Sequence, residues 1–220
     1  MASSSLQGRN QSLEIDGLLR SFPGLRLLPV ASDRLQIAGT LSFTARSKGF
    51  QEIQDSFDVE ISVPQRFPIE LPVIRETGGK VPKSFHTNKD GTLCLGSPTR
   101  QRLCLSKSPT VLAFANTCII PYFYNFAYFK RHGTLPLGEL AHGLRGIRQD
   151  YAQLFGVRSE GAAVEMVRLT SIKRRIANKH SCPCGSGRRL GKCHNRKVNG
   201  YRDALDRSWF RKEYQALSDH

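Results

Sequence analysis

The sequence has no apolar run long enough to cross a membrane. Its longest such run, Cys118 to Phe129, is interrupted by Pro121 and Asn125, whereas a spanning helix needs about 20 apolar residues in succession. We interpret this run as a helix of the hydrophobic core. The polar stretch from Met1 to Asn10 also lacks the apolar segment of a secretory signal. These absences predict a cytoplasmic protein without membrane contact.

Acidic residues are scarce, above all towards the C-terminus. The chain has 33 Lys and Arg against 18 Asp and Glu, a formal net charge of +15. Residues 166 to 220 hold 14 of the basic residues and only 4 acidic ones. Such a basic tail favours contact with an acidic protein, RNA or the ribosome, although a solvated charged surface is the commoner explanation of a charge run.

Stability does not require disulfide bonds in a chain of 220 residues, because a fold of that size can bury a full core. In a reducing compartment its six cysteines are expected to be metal ligands, nucleophiles or core residues. Their spacing distinguishes these roles.

Apolar periodicity predicts strands in the first half of the chain and helices in the second. Alternation at 35–43 and 57–63 predicts half-buried antiparallel strands, and Phe67 to Ile74 is predicted as a further strand bracketed by prolines. Helical spacing is found at residues 11–22, from Ser108 to about Lys130, at 140–155 and from Ser159 to Ile176. Strands followed by helices predict an α+β fold with an antiparallel sheet.

A group of potential metal ligands lies near the C-terminus: Cys182, Cys184, Cys193 and His194. The surrounding segment is too short and too polar to form a hydrophobic core of its own. Two thiolates on a tight turn, followed by a Cys-His pair, supply the number and type of ligands that zinc takes in closed structural sites. The alternatives are a strained Cys182–Cys184 disulfide and chance clustering. The pattern predicts one structural Zn²⁺ ion.

The stretch from Ser181 to Arg196 resembles the SEC-C motif, a zinc-binding segment known from the C-terminus of the bacterial preprotein translocase ATPase. The Cys-Pro-Cys-Gly-Ser-Gly core, the basic middle and the terminal Cys-His carry the resemblance. In that translocase the motif contacts a chaperone and the ribosome. The resemblance therefore implies a docking module rather than an active centre.

Another cysteine stands in the least periodic part of the larger domain. Cys94 follows a glycine turn in the loop at 78–96, close in sequence to Asn88 and His86. A nucleophile needs an accessible loop and nearby donors that stabilise an oxyanion. The flanking Leu93 and Leu95 would suit a small buried cysteine equally well, so local chemistry leaves both interpretations open.

Residues 10 to 130 resemble the ubiquitin-conjugating enzymes in the order of several short motifs. The matching segments are Phe67-Pro68 and Leu71-Pro72 for the family's Pro-rich strand, His86-Thr87-Asn88 for its His-Pro-Asn tripeptide, Leu93-Cys94-Leu95 for its Ile-Cys-Leu signature, and Ser108-Pro109 for the next helix. Thr87 replaces the usual proline, and Asn88 lies closer to Cys94 than in typical members. These departures indicate a divergent bacterial branch.

The resemblance implies an antiparallel sheet meander flanked by helices and a thioester chemistry centred on Cys94. That thiol would accept a ubiquitin-like protein from its activating enzyme and pass it to an amine. Asn88 would donate its amide to the oxyanion or brace the loop, and His86 would fix the turn. The implied organisation is a ubiquitin-conjugating-like domain at 10–156, a linking helix at 157–179, a zinc module at 180–198 and a basic C-terminal helix at 199–220.

Three other interpretations stay open. The domain could be a catalytically silent adaptor that binds partners without turnover. The function could lie in the tail, where Tyr201, Trp209, Phe210 and Tyr214 either stack on bases or pack on the domain. A cysteine hydrolase pairing Cys94 with His142 lacks a third orienting residue. Cys118 is interpreted as a core residue and Cys104 as a buried strand cysteine.

Overall fold

The computed structural model describes residues 13–29, 34–138 and 143–218. The chain divides into two compact units, Met1–Glu139 and Leu140–His220. The finer boundaries expected after residues 156, 179 and 198 fall inside the second unit and stay predictions. No helix in the described ranges combines the length and apolar character that a bilayer crossing requires.

The first unit is built on a four-stranded antiparallel sheet in which each strand pairs with its neighbour in the chain. The strands are β1 Leu25–Leu27, β2 Leu35–Ala45, β3 Ile53–Val63 and β4 Val73–Glu76. Burial alternates along β2 and β3, because successive side chains of a strand point to opposite faces. The predicted α+β class with an antiparallel sheet is confirmed.

Helices cover the apolar face of this sheet. They are α1 Ile15–Ser21, α2 Pro98–Leu105, α3 Val111–Phe114, a π-helical segment Ala115–Ile119, and α4 Ile120–His132. The ring of Phe57 on β3 stacks on Phe123 of α4 with 4.2 Å between centroids. Gly133 ends α4 in a left-handed conformation and donates its N–H to Phe129, as the sequence predicts.

The strand predicted from Phe67 to Ile74 is wrong over most of its length. Residues 65–69 form turns, the Phe67-Pro68 peptide is cis, and β4 begins only at Val73. Prolines at 68 and 72 have no N–H to give to a sheet ladder, so pairing starts where the last proline has been passed.

The helix predicted to start at Ser108 begins instead at Val111. Thr110 is the residue whose hydroxyl accepts the N–H of Ala113, at 3.1 Å. Its side chain therefore caps the helix in the place assigned to Ser108. An unpredicted helix, α2, precedes it and is capped by Ser97.

The second unit is helical in its described part, 143–218. Its elements are α5 Gly143–Phe155, α6 Glu160–Ser171, α7 Arg174–Ala177, a 3₁₀ turn Leu190–Lys192, and α8 Asn195–Ser218. Ser159 caps α6 as expected, but the predicted continuation to Ile176 is wrong because Ile172 leaves the helical conformation.

Helix α8 is two helices joined at Asp206. That residue has a φ of 57° inside the element. Its carboxylate accepts the backbone N–H groups of Ser208 at 2.7 Å and Trp209 at 3.0 Å. Asp206 therefore ends the first helix and caps the second.

A buried arginine joins α8 to the end of α6. Arg202 is 9% exposed, and its guanidinium donates to the carbonyl oxygens of Thr170, Leu169 and Ile172 at 2.9, 2.5 and 3.1 Å. The last carbonyls of a helix lack partners within the helix, and a cation is favoured beside them. Burial lowers the pKa of Arg202 below its usual value, yet an arginine stays charged.

Glycines allow β1 to approach β2 closely. A Cβ on Gly39 would lie 2.1 Å from the carbonyl oxygen of Gly24, and the φ of Gly39 is +135°. Both features exclude a side chain at this position.

Replacing Gly39 with alanine is expected to lower the free energy of unfolding by more than about 2 kcal/mol, because the backbone must shift and the φ is strained. Chemical denaturation measures the loss. The control is Gly49→Ala, where φ is +83° and no atom lies within 4 Å, and it should cost about 1 kcal/mol. Equal losses would contradict the role of the close approach.

Candidate metal centre and cysteine loop

The fold brings together the four residues expected to bind a metal. The ligand atoms of Cys182, Cys184, Cys193 and His194 all lie within 4.8 Å of one another. Nδ1 of His194 is 3.1 Å from the sulfur of Cys182 and 3.2 Å from that of Cys193, and the sulfurs of Cys184 and Cys193 are 3.6 Å apart. Ligands of a tetrahedral ion with metal–sulfur bonds of about 2.3 Å are separated by roughly 3.5–3.8 Å. The cluster could hold one metal ion.

The first two cysteines lie in a tight hairpin. The N–H of Cys182 donates to the carbonyl of Arg188 at 2.8 Å, and Ser181 pairs with Arg189. Gly185 and Gly187 adopt positive φ values of 79° and 71° in the turn, which an L side chain rarely adopts. The hairpin therefore aims both sulfurs to the same side.

The second ligand pair is placed by the start of α8. Cys193 donates its N–H to Leu190 at 3.0 Å, and Val198 donates to the carbonyl of His194 at 3.0 Å. Leu190 and Val198 are fully buried. A metal would therefore reinforce a segment that two aliphatic side chains already anchor.

The thiols of the hairpin have different environments. Burial, above all, raises the pKa of Cys182 to about 12, whereas a hydrogen bond from Ser186 lowers the pKa of Cys184 to about 7. Cys184 is therefore the more acidic of the two in the metal-free protein.

Positive charge surrounds the histidine of the cluster. Burial, together with Lys197 and Arg188, lowers the pKa of His194, which favours the neutral imidazole that binds metals. The guanidinium of Arg188 also lies 3.7 Å from the sulfur of Cys193.

In the first unit, Cys94 lies on a short hairpin. Its N–H donates to the carbonyl of His86 at 2.7 Å, and Thr87 pairs with Leu93. Cys94 as a whole residue is partly exposed, so it is not the fully buried cysteine of the alternative interpretation. Hydrogen bonds fix the backbone on both sides of it.

The hairpin is attached to β4. Leu93 donates its N–H to the carbonyl of Ile74 at 2.8 Å, and the guanidinium of Arg75 donates to the carbonyl of Asp90. The loop that carries the cysteine is therefore an extension of the sheet rather than a free segment.

Asn88 acts inside the hairpin. Its side-chain amide donates to the hydroxyl of Thr92 at 2.9 Å, and that hydroxyl donates to Asp90 at 2.7 Å. The hydrogen bonds from Thr92 lower the pKa of Asp90. Of the two roles expected of Asn88, this geometry corresponds to bracing the loop.

A side chain of α4 holds the backbone at Phe85, directly before His86. His86 has a positive φ of 38°, and the hydroxyl of Tyr122 donates to the carbonyl of Phe85 at 3.0 Å. Burial raises the pKa of Tyr122, with a smaller contribution from Cys94, so the phenol keeps the proton that it donates. Sequence reasoning missed Tyr122 because it resembles any aromatic residue of a core helix.

The two remaining cysteines contact each other. Cys104 lies on α2, so its prediction as a strand residue is wrong. The thiol of Cys104 and burial both raise the pKa of the Cys118 thiol. Cys118 is buried, as expected. His142, the proposed base of a hydrolase, lies outside the described residues.

The aromatic residues of the tail are largely used in packing. Phe210 is fully buried, and the hydroxyl of Tyr201 donates to the carbonyl of Leu154 at 2.6 Å. For these two residues, packing accounts for the side chain better than stacking on bases.

No family model, curated protein or solved structure matches this chain.

Adding Co²⁺ to the metal-free full chain is expected to produce one equivalent of a complex with the intense visible bands of tetrahedral thiolate coordination, because three sulfurs and one nitrogen converge. Absorption spectroscopy measures it. Cys193→Ser should weaken the bands, and Cys104→Ser, a cysteine of the other unit, should leave them unchanged. The faint spectrum of six-coordinate cobalt in the unsubstituted chain would contradict the site.

Proposed function

We propose that this chain is a conjugating enzyme for a ubiquitin-like protein, which it carries as a thioester on Cys94. The observation that supports this most is the position of the cysteine. Cys94 is partly exposed on a hairpin whose backbone is hydrogen-bonded to His86 and, through Leu93, to β4. A rigid, accessible thiol is what acyl transfer requires.

The order of elements gives further support. A first helix, a four-stranded antiparallel meander, the cysteine loop and then further helices follow one another. This is the layout that the resemblance to ubiquitin-conjugating enzymes implies. The loop that carries the cysteine follows the last strand, as that layout expects.

The reaction consists of two acyl transfers. The Cys94 thiolate attacks the thioester carbonyl at the modifier's C-terminus, a new S–C bond forms, and the activating enzyme's thiolate leaves and takes up a proton. An amine of the acceptor then attacks the Cys94 thioester, an N–C bond forms and the S–C bond breaks, and the departing Cys94 thiolate takes up the proton that the amine loses. No redox partner is required, and an ordinary thiol is already a competent nucleophile.

The residues around Cys94 position it. Thr92 and Asn88 keep the hairpin closed, and Tyr122 holds the carbonyl of Phe85. In the proposed enzyme His86 fixes the turn through its carbonyl, which accepts the N–H of Cys94.

A second candidate is a catalytically silent adaptor with the same fold. The hydrogen bond between the Asn88 amide and Thr92 favours it, since an amide engaged in the loop does not assist a reaction. In that case the modifier or another partner would bind without forming a covalent bond.

For the second unit we propose a structural zinc ion held by Cys182, Cys184, Cys193 and His194. The soft thiolates and the neutral imidazole are the ligands that zinc prefers. With four protein ligands the coordination is complete, so the ion would stabilise a docking module and take no part in acyl transfer.

Incubating the full chain with a ubiquitin-like protein prepared as a C-terminal small-molecule thioester is expected to yield an adduct on Cys94 that reductant cleaves. Gel shift and mass spectrometry measure it. Cys94→Ser should yield only a reductant-resistant ester or no adduct, and Cys104→Ser, the matched control, should retain the cleavable adduct. Equal labelling of the unsubstituted chain and Cys94→Ser would reject the enzyme and leave the adaptor.

Metal analysis of protein purified without chelator is expected to give about one equivalent of zinc, because each folded chain offers one closed site. Removing it should lower the melting temperature, since binding energy contributes to folding. Cys184→Ser should reduce the zinc content, whereas Cys118→Ser should not. Iron, or less than half an equivalent of zinc, would contradict the assignment.

A further inference from the structure

The second unit carries a long stretch without any carboxylate. No Asp or Glu lies between Glu165 and Asp203. Nine basic side chains of this stretch are exposed, and we call them the basic surface: Lys173, Arg174, Arg175, Lys179, Arg188, Arg189, Lys192, Arg196 and Lys197. The concentration of charge is thus a property of the folded unit and not only of its sequence.

Backbone hydrogen bonds bring the parts of the basic surface together. Gly191 donates its N–H to Asn178 at 3.2 Å, and Leu190 donates to the carbonyl of His180 at 2.9 Å. These bonds place the hairpin at 181–189 against the end of α7. The first turn of α8 follows directly after the metal ligands, so the cations at 173–179, 188–192 and 196–197 surround one small module.

Within the described ranges, none of the nine forms an ion pair with a carboxylate. The basic residues of the stretch outside the surface are used otherwise, since Arg168 pairs with Glu165 at 2.7 Å and Arg202 is buried. Concentrated charge of one sign repels itself and raises the local concentration of anions. A polyanionic partner would relieve this repulsion.

The composition of the surface favours nucleic acid over an acidic protein. A protein interface normally has an apolar centre, and among described residues of this unit Ile176, at 47% exposure, is the large apolar side chain left exposed. Five of the nine cations are arginines, whose planar guanidinium matches two phosphate oxygens. Phosphates along a chain suit such a surface.

The supporting elements favour RNA over duplex DNA. Only Arg196 and Lys197 lie on a helix longer than one turn, at the start of α8, whereas the other seven cations lie on or beside the four-residue α7, the hairpin and the 3₁₀ turn. Most of the basic surface therefore does not belong to a helix that could enter a major groove. Single-stranded RNA and the shallow minor groove of A-form RNA are instead reached by broad surfaces that contact phosphates and 2′-hydroxyls. Exposed Ser181 and Ser186 add hydroxyl groups there.

We propose that the basic surface of the second unit binds RNA through its phosphate backbone, independently of base sequence. The metal ligands hold the hairpin that presents Arg188 and Arg189. RNA binding therefore needs no contribution from Cys94, and the test of RNA binding is independent of the test of acyl transfer.

The test is fluorescence anisotropy with the full chain and a labelled single-stranded RNA of mixed sequence, over a range of salt concentrations. The triple variant Arg174→Gln, Arg175→Gln, Lys179→Gln should bind roughly ten- to a hundredfold more weakly at 0.1 M salt. It should also flatten the slope of log K against log salt by about 2, since each lost phosphate contact removes about 0.7.

The matched control is Arg26→Gln, Arg46→Gln, Lys48→Gln, which removes the same number and types of exposed charge from the first unit. It should leave both affinity and slope nearly unchanged, and circular dichroism should show both variants folded. Equal losses of RNA affinity in the two variants would show that net charge alone explains the binding, and would overturn the proposal. Competition by polyglutamate or by duplex DNA as effective as that by RNA would overturn it as well.

Discussion

The shortage of carboxylates in the second unit determines how its cations are accommodated. Arg202 is buried and donates to three carbonyl oxygens at the end of α6, where the helix itself leaves acceptors without partners. An arginine used in this way replaces the ion pair that an acidic residue would provide. This contact, together with the buried apolar side chains of α8, fixes α8 on α6 and so positions Cys193 and His194, which directly precede α8.

The structure of the first unit depends on how the irregular loop that carries Cys94 is attached to the regular sheet. The core is formed by alternating apolar residues of β2 and β3 against α4, with Phe57 stacked on Phe123. One turn of the same helix carries Tyr122, whose hydroxyl reaches the cysteine loop. Phe123, which packs in the core, and Tyr122, which holds the loop, therefore lie on the same helix. A shift of α4 would also move the loop that carries Cys94.

Much of this architecture could be predicted from local patterns. Alternation located β2 and β3, a glycine marked the end of α4, and the spacing of three cysteines and a histidine indicated the metal cluster before any contact was known. These features succeed because each depends on residues close together in the sequence. The strand predicted from Phe67 is wrong because the two prolines that bracket it have no N–H to give to a sheet ladder, and pairing begins only after the second.

Other features leave no local signal. β1 has only three residues and depends on Gly24 and Gly39 meeting across the sheet. Arg202 looks like any basic residue of a basic tail, although it is among the most constrained side chains of the unit. The side-chain contacts of Asn88 and Tyr122 likewise depend on the folded hairpin. A motif in the sequence points to Asn88, but it does not tell whether the amide braces the loop or donates to an oxyanion.

The π-helical segment at Ala115–Ile119 has a consequence for the length of the chain. A π turn contains one residue more than the α turn that it replaces. The extra residue is spread over roughly the same rotation as an α turn, so deleting one residue here would restore regular α pitch and leave the residues after it facing nearly the same way. Phe123 would still face Phe57, and Tyr122 the loop of Cys94. Deleting one residue from the regular helix α4 would instead rotate everything after it by about 100°. A change of length by one residue should therefore be tolerated at the π segment and not in the helix that follows it.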